Sequence, residues 1–323
     1  MKLNRYPYKL KPVLKDIIWG GTRLASEYFK SDNPNQKIAE SWELSVHKNG
    51  VNIIENGEYT GISFEELFHN DQSIISPDYH SDKFPLLIKY IDAEQDLSVQ
   101  VHPDNNYALK YANESGKTEM WYIIDAKPGS KLVYGLNNNY TREDLENLIA
   151  NDKFIDCLNY IEVKPGDTYF IPAGLVHAIG EGILIAEIQQ NSDTTYRFYD
   201  YNRSGADGKP RELHIKQALD VCIKTKSEYK KEELNAKIWN TLIECEYFTV
   251  VKITPVHKIH FTINNYFHSI ICIDGEANIL YNEELYSIKK GDSYFLPAGM
   301  GQYGIIQTSE NFTFLLTTLK NII

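Results

Sequence analysis

The stretch "KPGDTYFIPAGLVH", residues 164–177, occurs a second time in the chain as "KKGDSYFLPAGMGQ", residues 289–302. Without gaps, eight of the fourteen aligned positions are identical and three more are conservative. In both copies Gly-Asp is typical of a tight turn, Tyr-Phe of a strand and Pro-Ala-Gly of a second turn. A repeated β unit of this length predicts two related β domains.

The two copies differ at their last position, where His177 of the first copy is matched by Gln302 of the second. The positions that they share are interpreted as scaffold, because both copies need them to form the same turns and strand. The histidine that only the first copy has is therefore the candidate for a functional residue.

Most of the remaining sequence consists of short strand patterns separated by Gly, Pro, Asn and Asp. Helices are expected to be few. Capping patterns begin short helices at Ser63 and Thr141, and residues 213–223 have helical spacing of apolar residues. The charged residues 224–237 are interpreted as a solvated connector.

A chain of 323 residues is long enough for two domains. The connector divides it near residue 225, which predicts a catalytic domain over residues 1–225. That domain would include N-terminal strands and small helical segments. Residues 226–323 would form a second β domain that lacks the metal histidine.

The composition excludes several classes of protein. The formal net charge of −11 argues against non-specific nucleic-acid binding, although a few local cations can still hold an anionic substrate. No apolar run approaches the roughly 20 residues of a membrane span. The first sixteen residues lack the apolar core of a signal peptide, so we expect a cytoplasmic protein. The widely spaced cysteines predict neither a disulfide framework nor a thiolate zinc site.

The segment "DLSVQVHPDN", residues 96–105, alternates polar and apolar residues. In a strand, Ser98, Gln100 and His102 would point to one face. Alternate residues of a strand lie roughly 7 Å apart, so Gln100 and His102 can converge on one ion.

The spacing Gly166-x5-Pro172-x-Gly174-x2-His177 resembles the second motif of the cupin superfamily. Cupins are jelly-roll β-barrels, and this motif supplies one histidine to a metal inside the barrel. The resemblance implies a mainly β protein with two cupin-type jelly-roll β-barrel domains and a few short helices.

Four segments together resemble the short bacterial form of type I mannose-6-phosphate isomerase. They are "SVQVHPD" at 98–104, "GKTEMWY" at 116–122, "PAGLVHAI" at 172–179 and "QQNSDTTYR" at 189–197. The resemblance runs from Trp19 to about residue 215, and the repeat extends it to the second domain. Thr118 stands where many members have proline, and Glu181 ends the cupin motif where asparagine is common. Neither departure removes a proposed metal ligand.

This resemblance implies a metal site made by Gln100, His102, Glu119 and His177 that holds one zinc ion per chain. Nitrogen and oxygen ligands with an open position suit a catalytic zinc. The same ligands also accept iron, cobalt, nickel or manganese. The amide oxygen of Gln100 is the weakest and least common ligand of the set.

The family interconverts mannose 6-phosphate and fructose 6-phosphate through a cis-enediolate. Arg197 matches the family's active-site arginine, and a permanently charged guanidinium suits charge stabilisation. Glu187 lies among apolar residues, where burial is expected to raise the pKa of its carboxyl group. It is the first candidate for the base, with a structural ion pair to Arg197 as the alternative. Lys117 is expected on the same strand face as Glu119, to bind a sugar oxygen or carry a proton.

By the same resemblance, Lys89 and Ser98 contact the substrate phosphate. The alternative for Lys89 is a buried stem with its ammonium in solvent. The chain has no Gly-rich P-loop, so a nucleotide is not implied. The expected partner is a small-molecule sugar phosphate, with no nucleic acid and no membrane, and both a monomer and a homodimer stay open.

Two other functions are considered, a non-haem iron oxygenase and a metal-binding sugar sensor. Gln100 and the phosphate-type Lys89 argue against the oxygenase, which favours two histidines, a carboxylate and open sites. A sensor without catalysis would be expected to have lost Arg197 or a metal ligand, yet all are present.

Overall fold

The computed structural model describes residues 3–205, 208–229 and 238–319. These residues form mainly strands, with five short helices in the described part. The strands are β1 Tyr8–Lys11, β2 Val13–Lys15, β3 Glu40–Leu44, β4 Val46–His47, β5 Gly50–Val51, β6 Ile53–Ile54, β7 Leu86–Ala93, β8 Val99–Val101, β9 Glu119–Ala126, β10 Lys131–Leu136, β11 Leu158–Glu162, β12 Thr168–Ile171, β13 His177–Ile179, β14 Ile183–Gln190, β15 Tyr196–Tyr199, β16 Trp239–Glu244, β17 Thr249–Ile253, β18 Lys258–Ile263, β19 His268–Tyr281, β20 Glu284–Lys289, β21 Ser293–Leu296 and β22 Gly301–Thr318. The helices are α1 Arg23–Ser26, α2 Phe64–Asn70, α3 Asn105–Tyr111, α4 Arg142–Ala150 and α5 Ile215–Val221.

Two sheets form the part of the fold that carries most of the predicted site residues. One has the strand order β11-β10-β13-β8-β15, and the other has the order β12-β9-β14-β7-β3-β2. Buried apolar side chains from both sheets, among them Trp121, Leu132, Ile171 and Ile179, form one cluster. The two sheets therefore pack face to face.

A third sheet contains the C-terminal strands in the order β16-β17-β22-β19-β21-β1-β6, with β18 paired to β22 and β20 to β19. The mainly β fold is confirmed, but in the described part of the chain the sheets are open and do not close into the expected barrels.

The N-terminal strand β1 belongs to the C-terminal sheet. It pairs antiparallel with β21, where Tyr8 lies opposite Phe295. The limits 1–225 and 226–323 stay a prediction, and residues 230–237 of the predicted connector lie outside the described residues.

The two copies of the repeat adopt the same local structure. Each has a turn glycine with a positive φ, 92° at Gly166 and 89° at Gly291, followed by a four-residue strand, β12 or β21. Their last residues differ in environment, because His177 is buried and Gln302 is exposed. The second copy therefore repeats the scaffold and turns the position of the histidine towards solvent.

The predicted helix starts are confirmed. The Ser63 side chain accepts a hydrogen bond from Glu66 N–H at the start of α2, and Thr141 forms a capping box with Asp144 at the start of α4. Helix α5 lies within the predicted segment 213–223. Among the described residues, none of the helices has the length and apolar character needed to cross a membrane.

Aromatic side chains from both ends of the chain form the core where the C-terminal sheet meets the rest of the molecule. The Phe295 ring lies 4.8 Å from that of Phe64 and 4.9 Å from that of Phe267. Tyr8 and Phe84 belong to the same buried cluster. This shared core joins the two halves of the sequence.

Candidate active site

A cavity of about 510 Å³ opens beside the two packed sheets. Six predicted site residues line it, namely Lys89, Ser98, Gln100, Lys117, Glu187 and Arg197. The other three, His102, Glu119 and His177, are at most 1% exposed. They contact the cavity-lining Gln100 and Lys117, so all nine predicted residues belong to one site.

Strand register brings these side chains together. Gln100 in the middle of β8 lies opposite His177 of β13 on one side and opposite Arg197 of β15 on the other. In the facing sheet, Glu187 of β14 lies opposite Lys89 of β7. Directly opposed residues of neighbouring strands point to the same face, so both groups project towards the space between the sheets.

Three buried side chains form a cluster with the composition of a metal site. The Nε2 atoms of His102 and His177 lie 3.1 Å apart, and each lies 3.5 Å from an oxygen of Glu119. One potential ligand atom from each residue lies within 4.8 Å of the other two. Among the described residues, this is the one group of His, Cys, Asp and Glu side chains with such spacing.

Backbone carbonyls orient both histidines. Nδ1 of His102 donates to the Thr194 carbonyl at 3.0 Å, and Nδ1 of His177 donates to the Leu175 carbonyl at 2.8 Å. A neutral imidazole protonated at Nδ1 keeps a lone pair on Nε2. The two lone pairs therefore face the carboxylate, whose buried Oε1 has no hydrogen-bond partner in the described part of the chain. Such a set of acceptors fits a bound cation.

Burial sets the protonation of the three groups. It lowers the pKa of His177 to about 3 and moves the pKa of His102 well below its usual value, which nearby Lys117 lowers further. Burial and the charge of Glu187 raise the pKa of Glu119 to about 7. At neutral pH the histidines are neutral, which is the form that binds a metal.

Gln100 lies next to the cluster but presents its amide nitrogen to it. Nε2 donates to His177 Nε2 at 3.4 Å, and Oε1 accepts from Ser98 Oγ at 3.2 Å. To ligate an ion through its oxygen, the Gln100 amide must rotate by about 180° so that Oε1 and Nε2 exchange places. The two orientations fill the same space.

The sequence had suggested that Lys117 lies within the strand of Glu119. It lies instead just before β9, yet its ammonium still reaches the cluster. It donates to His102 Nε2 at 2.9 Å and to Glu119 Oε2 at 2.7 Å. Lys117 also lines the cavity, so its ammonium lies between the buried cluster and the space for a substrate.

The prediction that burial raises the pKa of the Glu187 carboxyl group is wrong. Burial favours a rise, but the cations of Lys89 and Lys117 outweigh it and lower the pKa of this carboxyl group. The ion-pair partner of Glu187 is Lys89, 3.3 Å away, and Arg197 does not pair with it. Trp121 donates a further hydrogen bond to the carboxylate at 2.9 Å.

Lys89 is buried, so the alternative of a solvent-exposed ammonium is wrong. Its side chain is 4% exposed and also pairs with Glu40 at 3.5 Å. Burial lowers the pKa of this lysine, but Glu40 and Glu187 outweigh burial and raise it above the usual range.

Arg197 is half-buried at the wall of the cavity. Its buried Nε has no hydrogen-bond partner in the described part of the chain. Burial and the neighbouring guanidinium of Arg211 lower the pKa of Arg197. Arg211 is itself paired with the Asp200 carboxylate, so Arg197 is the guanidinium at this wall that favours an anion in the cavity.

Sequence reasoning missed several residues of this cavity. Those with charged or aromatic side chains are Lys15, Trp19, Glu40, Trp42 and Arg211. These residues lie outside the repeat and outside the four segments that carry the family resemblance. Their role as lining follows only from tertiary packing.

Two family models, each describing one domain, match separate parts of the sequence. Residues 8–146 match the catalytic domain of type I phosphomannose isomerase, and residues 238–319 match the cupin domain of mannose-6-phosphate isomerase.

Relatives resemble the chain over nearly its whole length. The mannose-6-phosphate isomerase ManA of Bacillus subtilis is 42% identical over 92% of this chain and 95% of its own. The mannose-6-phosphate isomerase of Streptococcus mutans is 39% identical over 90% of this chain and 92% of its own. A crystal structure of the mannose 6-phosphate isomerase from Bacillus subtilis superposes with a TM-score of 0.88 at 34% identity, covering 96% of this chain and 99% of that chain. Identity of this level over this length, together with the match to the family's catalytic domain and the agreement in fold, shows that the chain belongs to the type I mannose-6-phosphate isomerase family.

Proposed function

We propose that the chain interconverts mannose 6-phosphate and fructose 6-phosphate with one divalent metal ion, zinc, held by His102, Glu119 and His177. The observation that carries this proposal is the convergence of two oriented imidazole lone pairs and a buried carboxylate oxygen that has no hydrogen-bond partner among the described residues, next to a polar cavity. Gln100 is the proposed fourth ligand, through its amide oxygen. A bound zinc ion would act as a Lewis acid that offsets the negative charge developing on the sugar oxygens.

The reaction moves one carbon-bound proton between neighbouring carbons. From the open-chain aldose, a base removes the proton at C2 and leaves a cis-enediolate. Return of that proton to C1, together with transfer of the C2 hydroxyl proton to the C1 oxygen, leaves a carbonyl at C2 and completes the ketose. The chain must therefore supply a base, a charge stabiliser and a holder for the phosphate.

Glu187 is the proposed base. Lys89 lowers its pKa, so the carboxylate is ionised and ready to accept a proton at neutral pH. Because a lower pKa makes a weaker base, the fixed position of the carboxylate between Trp121 and Lys89 has to supply the compensating gain through proximity.

Two cations are proposed to stabilise the enediolate. Arg197 cannot lose its proton, lines the cavity and has a buried Nε–H without a hydrogen-bond partner among the described residues, so it suits charge stabilisation. Lys117 contacts two of the proposed ligands and lines the cavity, so it is proposed to bind a sugar oxygen or carry a proton.

Lys89 and Ser98 are the proposed phosphate contacts. Both line the cavity, and Lys89 keeps its positive charge because carboxylates surround it. The phosphate has to compete with Glu40 and Glu187 for this ammonium, so Ser98 has to add a neutral donor at the same end.

The test is conversion of fructose 6-phosphate to mannose 6-phosphate by the purified chain, before and after removal of metal with a chelator. We expect activity that is lost on metal removal and returns with added zinc. Activity that survives complete metal removal would contradict the metal mechanism. Metal binding without turnover would favour the sugar sensor, and oxygen consumption without isomerisation would favour the oxygenase.

A further inference from the structure

Glu114 lies outside the cavity, in the segment between α3 and β9, and its side chain is 17% exposed. We propose that Glu114 is a positioning residue that fixes the segment 191–195 and, through the Thr194 carbonyl, holds His102 in the orientation of a metal ligand. The inference rests on the proposed metal site and assigns it a support that no motif of the sequence indicates.

One oxygen of Glu114 binds three consecutive residues. Oε2 accepts hydrogen bonds from Ser192 Oγ at 3.3 Å, from the Asp193 backbone N–H at 3.2 Å and from Thr194 Oγ1 at 3.0 Å. These residues connect β14, which carries Glu187, to β15, which carries Arg197. Bonds to an ionised acceptor are stronger than neutral ones, so they give this short connection a defined conformation.

The same connection orients a proposed ligand. The carbonyl of Thr194 accepts the Nδ1–H of His102 at 3.0 Å. A partner of this kind fixes the tautomer and the ring orientation of a metal-binding histidine. Glu114 accepts a hydrogen bond from the Thr194 hydroxyl, and the Thr194 carbonyl accepts one from the His102 ring. The effect of Glu114 on the ion therefore passes through Thr194.

The other oxygen of Glu114 binds the hairpin between β4 and β5. Oε1 lies 2.9 Å from Lys48 Nζ and 3.5 Å from His47 Nε2. Asn49 of this hairpin donates to Asp193 Oδ2 at 2.8 Å, and Asn49 and Asp193 both line the cavity. The carboxylate therefore joins three segments at one side of the cavity.

The carboxylate remains ionised in this position. Burial favours a higher pKa, but hydrogen bonds from Lys48, Asp193 and Thr194 lower the pKa of Glu114 to about 2. The pair with Lys48 contributes little by itself, because that lysine is 72% exposed. The contacts with the segment 191–195 are the ones that matter for the ion.

Two substitutions separate positioning from bulk stability. In Glu114→Gln, the amide oxygen can still accept from the segment 191–195, so zinc affinity should stay within about threefold of the wild type. In Glu114→Ala, the acceptor is lost, and zinc affinity should fall by about tenfold or more. The turnover number at saturating zinc should change much less than the zinc dissociation constant.

The measurement is the zinc dissociation constant of the full metal-free chain, by competition with a chromophoric chelator, together with its melting temperature. Glu146→Ala is the matched control, because it removes a carboxylate paired with Arg142 on the surface. It should leave zinc affinity unchanged. Thr194→Val keeps the carbonyl, loses the hydroxyl and should weaken zinc binding a few-fold, which decides the matter if Glu114→Ala does not fold.

An unchanged zinc dissociation constant in Glu114→Ala, or in Thr194→Val where the alanine variant does not fold, would overturn the inference. So would a lower melting temperature with unchanged affinity, since that result describes a merely structural residue. A wild-type chain that binds no zinc would instead overturn the proposed function, and with it the role given to Glu114.

Discussion

Glu119 is the proposed ligand whose protonation competes with the metal near neutral pH. Its pKa of about 7 means that the metal-free carboxyl group binds a proton below that pH, whereas both histidines stay neutral. An ion must displace this proton. Zinc affinity should therefore fall as the pH falls below 7, by about tenfold per pH unit.

Zinc dissociation constants measured at several pH values between 5.5 and 8.5, with correction for the chelator's own protonation, check this expectation. Glu119→Gln is the control, because it lacks the titrating group and should bind zinc more weakly with a flatter pH dependence. An equally steep dependence in the variant would assign the proton to another group.

Lys89 controls the charge of the proposed base. It is the cation that most strongly lowers the pKa of Glu187, so Lys89→Met should raise that pKa. A base works only when ionised, and its activity is lost as the pH falls through its pKa. The acid limb of the turnover number should therefore move to higher pH, by about one unit or more.

Turnover numbers at saturating substrate, measured across the acid range, test this shift, and Lys127→Met serves as the control because Lys127 is an exposed lysine away from the cavity. The Michaelis constant of Lys89→Met should also rise if the lysine binds phosphate. An unmoved acid limb would mean that Glu187 is not the titrating base.

At the scale of residues, the sequence was sufficient to propose the ligands but not their electrostatics. His102, Glu119 and His177 lie within motifs whose spacing carries the resemblance, and the structure brings them together. The charge state of Glu187 depends on Lys89, about a hundred residues earlier and directly opposite in the register. Local sequence shows the apolar neighbours of Glu187 and not this cation.

At the scale of elements, the repeat offers a comparison within one chain. In both copies a four-residue strand is followed by a Pro-Ala-Gly turn at the same positions of the repeat. At the last position, however, His177 is buried and Gln302 is exposed. His177→Ala should lose both zinc and activity, while Gln302→Ala should keep both. Zinc content of the purified variants and their isomerase rates are the measurements, and equal losses in the two variants would contradict the functional contrast between the copies.

The turns and short helices were predictable because their signals are local. Ser63 and Thr141 cap the helices that they were expected to begin, and the repeat glycines adopt the positive φ that a tight turn needs. The short strand β8 was expected to be longer, because Ser98 and His102 continue the alternation beyond its ends. Hydrogen bonding to neighbours, which alternation does not encode, decides where a strand ends.

At the scale of the whole molecule, the two halves of the sequence share a sheet and a core. Strand β1 pairs with β21, although almost the full length of the sequence separates the two strands. No local pattern indicates this pairing. Phe64 and Phe84 pack with Phe267 and Phe295 in one buried cluster. One buried cluster therefore spans the predicted division near residue 225, while the buried residues of three others lie wholly on one side of it.

This arrangement predicts that a fragment of residues 1–225 will not fold by itself, although it contains every proposed ligand. Without its partner it exposes the apolar surface of the shared core and leaves the edge of β1 that pairs with β21 open, which favours aggregation. Size-exclusion chromatography and circular dichroism of the fragment are the measurements. Co-expression with residues 226–323 is the control, and it should restore a soluble, active complex. A monomeric, stable and active fragment would show instead that the C-terminal sheet is dispensable for the core, and that the boundary near residue 225 separates two independent folding units.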